Sequence, residues 1–288
     1  MHSTNAYWPR PNASAIDSSR TQYADMPRFA ANLSTLYPDV DMLARCASAA
    51  RDGFRAVEMQ FPYAHSPAQW REHLQAHDLE LVLINAPAGN AQLGERGLAC
   101  LPGRQHDFRA SLDQALDYAV SLQCPRLHVM AGCPAPDADP AQLRRTYIDN
   151  LTYAAQLAAA VPIDILIEPI NNRDMPGYYL NHQADGHAIA QATGAGNVKV
   201  QMDLYHCQVM EGDVSTRLRH YIPQGRVGHV QIAGVPLRQE PDQGELNYPY
   251  LFRLLDELGY DGWVGCEYRP AADTRSGLQW LEAARRPN

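Results

Sequence analysis

No two cysteines in this 288-residue chain have C-x-x-C spacing. Cys46, Cys100, Cys124, Cys133, Cys207 and Cys266 are scattered singly, which argues against a thiolate zinc site or a redox pair. A chain of this length buries enough core to fold without disulfide staples. The cysteine usage therefore points to a reducing, cytoplasmic setting. No run approaches the roughly 20 apolar residues of a membrane span. Residues 1–25 are polar and lack the apolar segment of a secretory signal. They read as an N-terminal extension ahead of one catalytic domain over residues 26–288. There is no long Lys/Arg-rich run, and the formal net charge is −8. Both argue against a nucleic-acid partner. A small anionic substrate stays open, because one arginine in a pocket outweighs a diffuse surface charge. No self-complementary patch is legible, so a homo-oligomer is left open.

Beyond the extension, short apolar runs alternate with longer segments of helical periodicity. The strand candidates are "RFAANLS", "FRAVEMQF", "LELVLINA", "RLHVMAG", "DILIEPI", "VKVQMDL", "VGHVQIAG" and "GWVGCEY". In the helical segment "LFRLLDELGY", Leu251, Leu254, Leu255 and Leu258 fall at i, i+3, i+4 and i+7, one helix face. Ser66 and Asp213 read as helix starts, and Gly53, Gly194, Gly259 and Gly262 as helix stops. Eight strands alternating with eight helices predict an α/β fold, a single (β/α)8 TIM barrel. An open doubly wound sheet would show a Gly-rich phosphate turn after the first strand, which "NLSTLYPD" lacks.

In such a barrel the chemistry sits at the C-terminal ends of the strands. Glu168, Asp203 and Glu267 fall at or near the ends of strands five, six and eight, and Gln231 takes the matching place on strand seven. Four oxygen-bearing side chains would converge. Three carboxylates packed together repel, and a divalent cation removes the conflict. Carboxylate and amide oxygens are hard donors suited to Mg²⁺ or Mn²⁺. Taken alone, each of these acids is more often a helix cap or a solvated loop residue, and His206 more often a satisfied structural histidine, but four such positions on consecutive strands, with His206 one turn past Asp203, point to a shared site. Glu58 and Asn85, near the ends of strands two and three, could line the same cleft or cap loops. His128 and His229 lie inside strands and read as core residues. Arg96, Arg104, Arg238 and Glu245 sit on loops, where simple solvent exposure competes with a role at the site.

The stretches "GFRAVEMQFPY", "IEPINNRDMPGYYL", "QMDLYHCQVMEGD", "HVQIAGVPLRQEPDQGELNYP" and "GWVGCEYRP" resemble the hydroxypyruvate isomerase family, among the xylose-isomerase-like barrels. The resemblance runs from about Met26 nearly to the C-terminus. It implies a metal site of Glu168, Asp203, Gln231 and Glu267. It also implies an acid–base pair of Glu168 and Glu267, a substrate-contacting His206 supported by Asp174, and a substrate-binding Arg238. The related ketose 3-epimerases commonly carry histidine where this chain has Gln231. The implied reaction interconverts hydroxypyruvate and tartronate semialdehyde by proton transfer through an enediolate. Arg238 or Arg96 would hold the substrate carboxylate, with Glu58, Asn85 and Glu245 as further candidate contacts. The loop after strand seven also resembles 2-oxo-tetronate isomerases, which act on four-carbon acids. A ketose 3-epimerase is the further alternative within these barrels, and metal-dependent phosphoester hydrolysis and a non-catalytic binding barrel are the rival classes.

Overall fold

A computed structural model of the chain describes residues 27–285. The expected extension over residues 1–25 lies outside the described residues. Each apolar run forms a strand: β1 (Arg28–Asn32), β2 (Ala56–Met59), β3 (Glu80–Asn85), β4 (Arg126–His128), β5 (Asp164–Ile167), β6 (Val198–Asp203), β7 (Val227–Ile232) and β8 (Trp263–Cys266). The strands pair in parallel in chain order, and β8 closes on β1 through Arg28–Trp263 to Ala31–Cys266. The predicted (β/α)8 barrel is the observed architecture. Parallel strands are covered on both faces, which is why these runs are almost continuously apolar.

The helices α1 (Arg45–Arg51), α2 (Pro67–Ala76), α3 (Gln105–Leu122), α4 (Pro140–Ala158), α5 (Gln183–Ala192), α6 (Leu204–Met210), α7 (Val214–Tyr221), α8 (Tyr248–Glu257) and α9 (Gln279–Ala284) lie along the chain between and after the strands. The main core joins their inner faces to the outside of the barrel, with Leu112, Leu151 and Leu255 fully buried. Ser66 starts α2 as expected, in a reciprocal capping box with Gln69, a device that stabilises a helix by about 1 kcal/mol. Gly53, Gly194 and Gly259 adopt positive φ just past helices. Gly262 does not; it precedes β8 rather than stopping a helix. Asp213 precedes α7 in a left-handed conformation, but its side chain caps nothing. The helix α6 was not expected as a separate element. It starts because the Asp203 carboxylate accepts hydrogen bonds from the N–H groups of Tyr205 (2.7 Å) and His206 (3.4 Å). An acid read as a strand end is also a helix cap, and the cap places His206 one turn beyond it.

Inside the barrel, Ala30, Ala56, Val82, Leu83 and Leu166 form an apolar cluster of their own. Nearer the C-terminal ends the lining turns polar. Asn32 lies beside Glu58, Gln201 beside His229, and Asp203 beside Gln231. Register shifts at Val57/Glu58 and Val200/Gln201 mark where this change occurs on β2 and β6, as irregularities commonly do beside active sites. Gly265 on β8 faces the Glu58 carboxylate, and a Cβ there would overlap both of its oxygens. The absent side chain is what admits a buried acid to the barrel interior.

Gly265→Ala is therefore expected to destabilise the protein by about 1–3 kcal/mol, the usual cost of overpacking. Denaturant unfolding measures this, and an unchanged midpoint would show that Glu58 does not fill that space.

Candidate active site

Glu168 follows the last residue of β5, Asp203 ends β6, Gln231 is next to last in β7, and Glu267 follows β8. Closure of the barrel turns these separate positions into one floor. All four are buried, with exposures of 5, 0, 1 and 7%. Above them opens a cavity of about 590 Å³, lined among others by Asn85, Arg96, His128, Asp174, Arg238 and Arg269.

The floor is short of positive charge. Burial, reinforced by Glu267 and Asp203, pushes Glu168 well above the usual carboxylate range. Burial raises Asp203 to about 6 and Glu267 to about 7, in both cases against the pull of Arg238. The Arg238 guanidinium lies 2.7 Å from Glu267, 3.9 Å from Asp203 and 3.5 Å from Asp174. Burial opposes its charge, yet the surrounding carboxylates outweigh that and strengthen its hold on the proton. His128, whose Nε2 is 3.6 Å from Glu168, is lowered by burial and by His229 to about 3, so it stays neutral at pH 7.

A web of amides fixes the floor. Glu267 accepts from Arg238 and Gln60 (3.1 Å) on one oxygen, and from Gln231 (2.7 Å) and Asn32 (3.2 Å) on the other. Glu58, wholly buried, accepts from Asn32 (2.9 Å) and Gln231 (2.7 Å) and lies 2.6 Å from His229 Nε2. Gln231 thus turns its nitrogen toward both carboxylates, while its oxygen accepts from Gln201 (2.6 Å). Rotating the amide would aim its oxygen at Glu58 and Glu267, oxygen against oxygen.

His206 is held by Asn171, whose backbone N–H (3.3 Å) and side-chain nitrogen (2.6 Å) both approach Nδ1. Nδ1 is therefore the acceptor, and the ring proton sits on Nε2. Nε2 faces Asp203 (3.6 Å) and Glu168 (3.9 Å). Burial lowers the imidazole well below its ordinary value, so it is neutral.

Among the sequence-derived candidates, Asn85, Arg96, Asp174, His206 and Arg238 line or border the cavity with Glu168 and Glu267. Glu58 lies beneath Glu267 instead of facing the cavity. Glu245 stays outside, bonded to Gln208 (3.0 Å), and Arg104 pairs with Glu95. Asp174 accepts from the Tyr205 hydroxyl (2.9 Å) and does not contact His206 directly. His128 and His229 are buried as expected, yet each faces a carboxylate. Asn32, Gln60, Asn171 and Gln201 were missed. Asn32 ends β1, so strand-end reasoning could have found it. Arg269 was missed too, and nothing but its place two residues past Glu267 signalled it.

Glu168, Asp203 and His206 each offer a donor atom, all within 4.8 Å of one another, a grouping able to hold a metal ion. The chemistry narrows that set, since His206 directs a proton, not a lone pair, at the site. Asp203 Oδ2, by contrast, is buried with no hydrogen-bond partner, which is what a cation would satisfy. The floor fits a cation bound by carboxylate oxygens. The pH dependence follows in sign. Raised carboxylate pKa values mean that the folded protein holds protons which the unfolded chain, titrating near about 4, has lost. Without metal, stability therefore falls as pH climbs from there through about 6 to 7. A cation that binds the ionised floor offsets the loss. Adding Mn²⁺ to chelator-treated protein is expected to raise Tm by several degrees at pH 8 and little at pH 5. Calorimetry checks this, and equal shifts at both pH values would contradict it.

The family model described as a xylose isomerase-like TIM barrel matches residues 46–284. The 2-oxo-tetronate isomerase of Cupriavidus necator is 58% identical over 257 residues, covering 89% of this chain and 98% of that one. The hydroxypyruvate isomerase of Escherichia coli K12 is 40% identical over 260 residues, covering 90% and 100%. A crystal structure from Brucella melitensis, described as an AP endonuclease of family 2, superimposes with a TM-score of 0.87 at 46% identity, covering 90% and 99%. With its closed barrel and its floor of strand-end acids, this chain belongs to the xylose isomerase-like TIM barrel family and is an isomerase of the hydroxypyruvate and 2-oxo-tetronate isomerase group.

Proposed function

We propose that the chain moves a carbonyl between adjacent carbons of a short hydroxy-oxo acid, by proton transfer through an enediolate. The observation that carries this is the buried pair Glu168 and Glu267, held with raised pKa at the floor of the cavity. The carbon next to a carbonyl is a very weak acid. A base that removes its proton works best with a pKa near the operating pH, and burial lifts both glutamates from the usual carboxylate range toward it.

The two glutamates differ in freedom. Both oxygens of Glu267 are occupied by N–H donors. Glu168 has fewer partners, the imidazoles of His128 and His206 at 3.6 and 3.9 Å and the Gln201 amide. Glu168 is therefore assigned as the group that takes the carbon-bound proton, and Glu267 as the oriented carboxylate across the site. His206 directs its Nε2–H into the cavity floor, where it can donate to a substrate oxygen and move hydroxyl protons. A divalent cation held by Glu168 and the unpartnered Asp203 Oδ2, with Mg²⁺ or Mn²⁺ suited to oxygen donors, would supply Lewis-acid stabilisation of the developing negative charge, while Glu267 stays held by its four N–H donors. Gln231 orients Glu267 in place of the fourth ligand the family resemblance implies.

Two substrates fit this chemistry. The 58% identity to a 2-oxo-tetronate isomerase favours the four-carbon acid, and the roughly 590 Å³ cavity leaves room for it. Hydroxypyruvate is the second reading, supported by the Escherichia coli relative. The two acids differ by one CHOH unit, whose carbon is worth only about 1–3 kcal/mol of discrimination in a pocket, so an enzyme built for one is expected to turn over the other slowly. Phosphoester hydrolysis, which the description of the Brucella structure would suggest, calls for a histidine-rich site with several metals, and this floor is carboxylate.

Glu168→Gln is expected to lower kcat about 10²–10⁴-fold, the usual contribution of a positioned base, with the Tm of the metal-free protein unchanged or raised, since a buried carboxyl that is costly to ionise is replaced by a neutral amide. Turnover is followed by NMR in D₂O with both acids present and Mn²⁺ added. Wild-type rates in this variant would take the base role from Glu168. Failure of the wild type to convert either acid would end the isomerase reading at the level of substrate.

A further inference from the structure

Arg238 carries the family expectation for substrate binding, but its charge is already engaged. Its guanidinium lies against Glu267, Asp203 and Asp174, and its side chain is only 17% exposed. Two other guanidinium groups line the cavity, those of Arg96 and Arg269. Arg96 turns back on its own loop, donating to the Glu95 carbonyl (3.1 Å). Arg269 differs from both. Among the described residues its side chain makes no hydrogen bond and no ion pair, although its backbone is anchored by an N–H donated to the Arg238 carbonyl (2.8 Å). It lies two residues beyond Glu267, exposed on the wall above the floor.

An anionic substrate approaching this floor meets Glu168, Asp203 and Glu267, and repulsion between like charges is strong where water is scarce. A compensating cation must be one that the protein's own acids have not already neutralised. We infer that Arg269 is the dock for the substrate carboxylate and thereby the residue that selects acids over neutral ketoses. The inference rests on the isomerase reading and adds its specificity determinant. A planar guanidinium with no partner among the described residues keeps its donors for a two-point contact with a carboxylate. Its tether to Arg238 places that contact beside the acid–base pair. In both candidate substrates the carboxylate adjoins the carbonyl carbon, so dock and chemistry must be neighbours.

The test uses Mn²⁺-supplemented wild type, Arg269→Ala, Arg269→Lys and, as a control, Arg96→Ala. Each is assayed with hydroxypyruvate and a 2-oxo-tetronate, and titrated calorimetrically with D-glycerate and with neutral dihydroxyacetone. Arg269→Ala is expected to raise KM for both acids roughly ten- to hundredfold, the worth of a hydrogen bond to a charged group, with kcat little changed. D-glycerate should weaken by a similar factor and dihydroxyacetone not at all. Arg269→Lys should recover part of the loss, and Arg96→Ala should show little of it. Unchanged KM and D-glycerate affinity in Arg269→Ala would overturn the inference. So would a loss confined to kcat, or an equal loss for D-glycerate and dihydroxyacetone. If the wild type converts neither acid, the isomerase reading fails separately. The glycerate titration then decides alone, with weakening in Arg269→Ala supporting the dock and no change refuting it.

Discussion

Three carboxylates gathered at one end of a barrel, out of water and with one guanidinium among them, set the terms for the rest of this structure. Bringing Glu168, Asp203 and Glu267 together is unfavourable by itself, because burial and mutual repulsion both oppose their charge. The fold tolerates the cluster because closure of eight strands leaves these positions nowhere else to face. The unfavourable term is also what a proton-transfer site requires, since it lifts carboxylates toward neutral pH.

The organisation beneath the floor follows from the same constraint. Glu58 is an acid sunk one layer deeper, admitted by the missing side chain at Gly265 and held by His229, Asn32 and Gln231. Asn32 and Gln231 each give one amide to Glu58 and to Glu267, so the deeper acid and the floor acid share their donors. That sharing decides which end of Gln231 faces upward. Gln231 thus acts here as a hydrogen-bond bridge between the two acids. The ring of His206, set by two donors from Asn171, is likewise turned to give a proton rather than a lone pair.

How much of this could be read from the chain differs by kind of feature. The barrel was legible because strands buried on both faces must be written as apolar runs, and all eight were. The floor acids were legible because a charge ending an apolar run has only one place to go in such a barrel. The amide bridges were not. An asparagine at the end of β1 carries no charge to betray it, and its two partners come from β2 and the end of β8, over 25 and 230 residues away. The orientation of Gln231 depends on Glu58, which read equally well as a loop cap. Helix α6 escaped notice because its cap is an acid already assigned to the site. Arg269 was passed over because only the structure shows that Arg238 is engaged.

In the proposed reading the acid floor would share one cation, and Arg269, unpartnered among the described residues, would meet the substrate's own charge. The most direct measurement is a crystal structure of the Mn²⁺-soaked protein with anomalous data collected at the manganese edge. The account predicts one peak within about 2.0–2.6 Å of oxygens from Glu168 and Asp203, with Gln231 still turned toward Glu58 and Glu267. A map with no peak on that floor, or with the ion bound by residues elsewhere while Arg238 alone bridges Asp203 and Glu267, would contradict it.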